Sequence, residues 1–268
     1  MLKDITLGQY FPGDTVAHRL DPRTKILLVV LYIIALFCAK NLLSYALLAV
    51  VLAVCVRISQ VGLRPLVRGL KPVLFIIVFT ALLNLFFTPG DRYLLEWGFL
   101  RVSDTGLRNA VFMVVRIMLL IMGTFLMTYT TSPISLTDGL ERLLNWMKRL
   151  HVPVHELSMM MSITLRFIPT LLEETDKIMK AQMARGADFE SGGLIQKAKA
   201  LIPILVPLFI SAFRRADELA TAMECRCYHG GEGRTKLHVL QYQARDYIAL
   251  AAGAVILAVV IVMRNLAI

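Results

Sequence analysis

The sequence predicts an all-α, multi-span helical membrane protein that carries long cytoplasmic helices outside the bilayer. Two observations lead there. Several runs of roughly 15–25 residues are nearly free of charge, about what a helix needs to cross ~30 Å of hydrocarbon. Between the last two such runs lies a segment of another kind, residues 131–246, rich in charges of both signs yet helical in period. The bulk figures agree: 57% of the 268 residues are hydrophobic, and the mean hydropathy is +0.66.

Residues 1–25 form a polar leader ending in Arg19-Leu20-Asp21-Pro22-Arg23-Thr24-Lys25. Asp21 before Pro22 reads as an N-cap with proline at the first helical position, and Arg23 and Lys25 anchor the start of a span. Runs 26–39 and 42–56, parted by Lys40 and Asn41, read as a tight hairpin of two short spans. Arg57, Arg64, Arg68 and Lys71 follow with no acidic partner, which marks a cytoplasmic loop. Residues 73–87 make the third span. Residues 88–106, with Tyr93 and Trp97, suit the outer interface. Residues 106–129 make the fourth span, and Arg116 within it is expected to snorkel or to pair with Asn84 or a backbone carbonyl between packed helices.

Three helical patterns occupy the charged segment: 135–149, about 155–185, and about 194–226 with Pro203 and Pro207 inside. The apolar stretch 201–213 is too short to cross a bilayer and fits a helix lying against protein or the membrane face. Residues 247–263 make a fifth span. The expected organisation is therefore a cytoplasmic leader (1–25), four spans (26–130), a cytoplasmic coupling-helix domain (131–246) and a last span (247–268). With the amino terminus inside, the carboxyl terminus falls outside.

The formal charge of +10 is an excess that positive-inside loops explain, and no aromatic-basic motif points to nucleic acid. Of the four cysteines, Cys38 and Cys55 lie in apolar runs, and Cys225 and Cys227 sit in the segment placed in the cytosol. A disulfide framework is not expected. No secretory signal peptide is evident.

The two long helical patterns end alike. Asp176 to Gly186 and Asp217 to Cys227 align without gaps, each with Asp nine positions before an Arg that sits between small residues. Composition alone allows two ordinary helix ends. It also allows two matched plugs, each offering an Arg to an acidic groove, since Arg suits a bidentate carboxylate contact.

With these motifs in place the chain resembles a known family, the transmembrane (T) component of energy-coupling factor (ECF) transporters, the EcfT/CbiQ family of shared-scaffold type. The resemblance covers nearly the whole chain. It is carried by Arg19 to Lys25, by Leu165-Arg166-Phe167-Ile168-Pro169, by Met183-Ala184-Arg185-Gly186, and by Met223-Glu224-Cys225-Arg226-Cys227-Tyr228. It implies a non-catalytic scaffold in a prokaryotic plasma membrane that joins two homologous ABC-type ATPase subunits to a substrate-binding S component for vitamin or micronutrient uptake. Ala184, Arg185 and Gly186, and Cys225, Arg226 and Cys227, would dock the ATPases. The family's second motif is usually Ala-Arg-Gly; both flanks here are Cys, so the second helix end is expected to be shaped differently. Met159, Met160, Met161, Leu205 and Phe209 would meet the S component.

Other chemistries find little support. Cys225-x-Cys227-x-His229 falls short of the four ligands of a structural zinc, so no metal is expected. Pro153 separates His151 from His155. The glycine-rich segment 230–236 lacks the Gly-Lys-Ser/Thr ending of a phosphate loop, so no nucleotide or other cofactor is expected and ATP hydrolysis would fall to partners. A self-sufficient permease or channel is the alternative; it would need an intramembrane polar path, where only Asn84 and Arg116 stand out. No paired catalytic carboxylates or nucleophile-base set points to an enzyme.

Overall fold

Asp21 and Pro22 open the first helix as expected. In the computed structural model, which describes residues 10–88, 93–97, 100–189, 193–231 and 239–265, the Asp21 carboxylate accepts from the Arg23 backbone N–H at 2.9 Å and Pro22 begins α1 (Pro22–Cys38). Then come α2 (Leu42–Ser59), α3 (Leu63–Leu70), α4 (Leu74–Phe87), α5 (Asp104–Thr130), α6 (Pro133–Leu144), α7 (Val154–Ala184), α8 (Leu194–Glu224) and α9 (Ala244–Asn265). Much of the glycine-rich segment 230–236 lies outside the described residues.

The all-α, multi-span class holds. Leu42–Ser59, Leu63–Phe87, Asp104–Thr130 and Ala244–Asn265 are long and apolar enough to cross a membrane. The first expected span is the 17-residue α1, whose rise of roughly 25 Å is just short of the hydrocarbon thickness.

Two local features differ from expectation. The basic loop around Arg64 and Arg68 is the short amphipathic helix α3: Leu66 and Leu70 are buried while Arg64 and Arg68 are exposed. Its approach to α5 is close, since a Cβ on Gly69 would come within 2.4 Å of the Phe125 ring. Between α4 and α5, strand β1 (Tyr93–Trp97) pairs antiparallel with β2 (Leu100–Ser103), Trp97 opposite Leu100. Ser103 then caps α5, accepting from the Gly106 N–H at 2.9 Å and donating to the Thr88 carbonyl at 2.9 Å.

The chain divides into two compact units, one of Gly8–Gly139 with Leu240–Ile268 and one containing Leu140–Val239. In the first, α5 packs against α1, α2, α3 and α4, and α9 lies along α1. Leu36, Leu48, Leu66, Tyr129 and Val260 are almost wholly buried in its core. A polar clamp joins its helix ends. Asp246, on the third residue of α9, reaches back to the Gln243 N–H at 2.8 Å and accepts the Asp21 N–H at 2.9 Å. Buried Lys25 donates to the Thr130 carbonyl at 2.8 Å, placing a cation at the C-terminus of α5. Arg23 pairs with Asp21 at 2.7 Å and lies over the Tyr242 ring.

Arg116 on α5 donates to the Tyr45 hydroxyl at 2.9 Å and to the Ala39 carbonyl at 3.3 Å. Ala39 is the C-cap of α1, so the guanidinium meets the negative end of that helix. The expected pairing with a carbonyl is present. The alternative pairing with Asn84 is not found among the described residues: the Arg116 nitrogens go to Tyr45 and Ala39, and the Asn84 amide donates to the Thr80 carbonyl and the Met113 sulfur, each at 2.9 Å.

The second unit is built on α7 and α8, which pack together. Gln182 reaches the Pro203 carbonyl at 3.4 Å, and Arg215 pairs with Glu174 at 3.0 Å. A Cβ on Gly231 would lie 2.5 Å from the His155 ring. As the α7 number falls the α8 number rises, so the pair is an antiparallel hairpin. The Pro203 carbonyl is available because Pro207, four residues on, has no N–H to offer it. A hydrogen bond from the Ser211 hydroxyl, with the Arg215 charge, holds the Glu174 carboxyl below its usual range. At the other end Glu141 of α6 accepts from Ser158 at 2.9 Å and from the His155 ring at 3.1 Å.

Candidate docking site

Two helix C-termini present the arginines, and both are built the same way. At the end of α7 the Gly186 N–H donates to the Met183 carbonyl and the Ala187 N–H to the Gln182 carbonyl, both at 3.0 Å. At the end of α8 the Cys227 N–H donates to the Glu224 carbonyl at 2.9 Å and the Tyr228 N–H to the Met223 carbonyl at 3.0 Å. Each is a Schellman cap, with one bond spanning six residues and an inner one spanning four. The left-handed residue that closes it is Gly186 (φ +88°) in the first and Cys227 (φ +55°) in the second.

This corrects the expectation that the missing glycine would reshape the second end. Cys227 takes up the left-handed conformation itself, and the His229 ring donates to its carbonyl at 2.8 Å. Arg185 and Arg226 therefore occupy equivalent positions, each the residue just before the left-handed one. Ala184, Arg185, Gly186, Cys225, Arg226 and Cys227 are all exposed. Among the described residues the ion pairs are Arg23 with Asp21, His155 with Glu141, and Arg215 with Glu174; neither arginine takes part.

The hairpin sets the two arginines far apart. Its contacts place Arg226 beside about residue 160 of α7, roughly 25 residues from Arg185, or ~38 Å at 1.5 Å per residue.

The apolar candidates divide. On α8, Ile202, Leu205, Val206, Phe209 and Phe213 follow helical spacing and are all more than half exposed, Phe209 at 66%. On α7, Met160 and Met161 are exposed and Met159 is half-buried. By the hairpin register Phe209 lies beside about residue 177, so the methionines sit ~25 Å from it. They form two patches rather than one.

The fold defines the class: a helical membrane protein with an antiparallel helical pair whose two far ends expose matched arginines. Comparison with known proteins names the family. The model of the CbiQ family, described as a cobalt transport protein, matches residues 13–237. The energy-coupling factor transporter transmembrane protein EcfT of Clostridium kluyveri is 54% identical over 265 residues, 98% of each chain. Its namesake from Bacillus subtilis is 48% identical over 264 residues, 98% of this chain and all of the other. That from Ruminiclostridium cellulolyticum is 51% identical over 264 residues, 98% of each. The chain belongs to this family of transporter transmembrane components.

Proposed function

We propose that the chain is the membrane scaffold of an ATP-driven uptake transporter, joining two ABC-type ATPase subunits to an S component that captures a vitamin or micronutrient. The observation that carries this is the matched pair of exposed arginines at the two ends of the hairpin, neither in an ion pair among the described residues. Equivalent plugs ask for equivalent sockets, and two homologous ATPases supply them. Each socket is an acidic groove that meets a guanidinium bidentately, with small neighbours allowing close approach. The hairpin and the amino terminus then face the cytosol, where ATP is. The apolar stripe on α8 receives the S component.

Arg116 weighs against the permease reading. Its charge is engaged by the Tyr45 hydroxyl and the end of α1, where a permease would leave such a charge facing its substrate path. The test is copurification of ATPases, together with substrate uptake, in Arg185→Ala, Arg226→Ala and the double variant. A double variant that keeps both ATPases and full uptake sinks the proposal. Orientation is tested by thiol labelling: positions 64 and 190 should react only from the cytosol and position 97 only from outside.

A further inference from the structure

The bundle contains an apolar crevice of about 490 Å³ walled by α1, α2, α5 and α9. Small side chains create the space: Ala35, Cys55, Gly123, Ala252 and Gly253 all line it. It is bounded where helices close in. A Cβ on Gly123 would come within 2.5 Å of the Tyr32 ring, and one on Gly253 within 2.7 Å of Leu28.

One rim is polar and cationic. Lys25 and Arg245 both border the crevice there. Lys25 is engaged by the Thr130 and His18 carbonyls. Arg245, half-buried in the first turn of α9, bonds the neutral side-chain oxygen of Gln243. Among the described residues the nearby carboxylates are taken: Asp21 by Arg23, and Asp246 by two backbone N–H groups. Arg245 therefore keeps its charge for a ligand at this rim, with Lys25 as a second cation beside it.

We propose that this crevice binds one anionic phospholipid, with an acyl chain lying in the slot and the phosphate on Arg245. The shape of the lining decides for a lipid: the walls are almost wholly apolar, as an acyl chain requires, and the cations stand at one rim only, as a headgroup phosphate requires. The cation decides for an anionic headgroup over a zwitterionic one. This inference does not depend on ATPase docking, and its test reads no ATPase.

The experiment reconstitutes the protein, with the subunits it retains, into vesicles carrying phosphatidylglycerol or phosphatidylcholine with a photoreactive acyl chain. Adducts are then mapped by mass spectrometry. Adducts should concentrate on Cys55, Leu126, Ala252 and Ile256, which line the crevice, over the controls Phe79 and Val255, which lie outside it, and phosphatidylglycerol should be preferred. Arg245→Gln should reduce that preference about five- to tenfold while leaving chain adducts in place. Filling the slot by Ala252→Phe should abolish the concentrated adducts. Should that variant fail to fold, Cys55→Phe fills it from the opposite wall. Adducts spread evenly over the apolar surface, equal labelling by the two lipids, or protein–protein adducts in the slot in place of lipid would each overturn the proposal.

Discussion

The membrane bundle and the helical hairpin treat their charges in opposite ways. In the bundle, Lys25, Asp21, Asp246 and Arg116 are tied into helix ends, so that charge closes the fold on itself. In the hairpin, Arg185 and Arg226 stand exposed at two capped termini without an ion-pair partner among the described residues, and the α8 stripe is uncovered. The difference separates charges that hold the fold together from charges that the fold leaves unused. Substitution in the bundle should lower the unfolding temperature; substitution at the hairpin ends should change what is bound.

The largest effect is expected at the arginines. Truncating one partner of a buried, hydrogen-bonded charge pair typically costs about 2–5 kcal/mol. Each Arg→Ala change should then weaken one ATPase contact ~30-fold or more, since roughly 1.4 kcal/mol is tenfold. Two ATPases that also hold each other can mask a single change, so a single variant can keep the complex yet lose uptake, and the double variant should release both. Arg→Lys should rescue poorly, because an ammonium lacks the fork. Thermal unfolding of the isolated chain should barely move. A fall of many degrees in the double variant would break the comparison.

Asp246→Ala probes the other side. It removes the acceptor of two backbone N–H groups, from Gln243 and from Asp21, at a residue that is 1% exposed. Orphaned buried donors make this cost about 2–4 kcal/mol, read as a lower unfolding temperature. The folded fraction should still bind ATPases. Release of ATPases at full stability would show that the clamp belongs with the docking ends.

A smaller effect separates the two apolar patches. Phe209→Glu puts a charge in the middle of the α8 stripe and should weaken S-component retention by about tenfold, since an unpaired charge resists burial. Met160→Glu, ~25 Å away by the hairpin register, should leave that retention nearly intact. Equal loss in both variants, measured by copurification, would mean that one partner spans both patches.

Much of this fold was legible in the sequence, for identifiable reasons. Charge-free runs betrayed the spans, and proline, glycine and helical period set the long helices: expected near 155–185 and 194–226, they run Val154–Ala184 and Leu194–Glu224. What escaped was tertiary or concealed by neighbours. Asp246 reads as an ordinary first-turn acid because its partner Asp21 is 225 residues away. The α3 helix was hidden by its positive charges, although Leu66 and Leu70 at i, i+4 were there to be seen. The β-hairpin has a signal too, two short apolar runs around Gly98, but it is faint between two long apolar spans. Arg185 and Arg226 were found as a pair from their spacing, whereas the shared cap that makes them equivalent is a backbone conformation that Cys227 does not advertise.

That shared cap gives the smallest and sharpest contrast. Gly186 and Cys227 hold the same position in two Schellman motifs, but at different φ. Cys227, at +55°, sits near the minimum of the left-handed region, where an L-residue is disfavoured by roughly 1 kcal/mol relative to glycine. Gly186, at +88°, lies outside that minimum, where a Cβ is less welcome still. Cys227→Gly should therefore stabilise its helix end by up to about 1 kcal/mol, and Gly186→Cys should destabilise its own by somewhat more than 1 kcal/mol. Hydrogen exchange reads each end separately. The Tyr228 amide, bonded to Met223, should exchange more slowly in the first variant, and the Ala187 amide, bonded to Gln182, faster in the second. The ordering of the two effects matters more than their size. Were Gly186→Cys harmless, the α7 end would relax to the φ that Cys227 adopts, and the two arginines would be interchangeable in shape as well as in position.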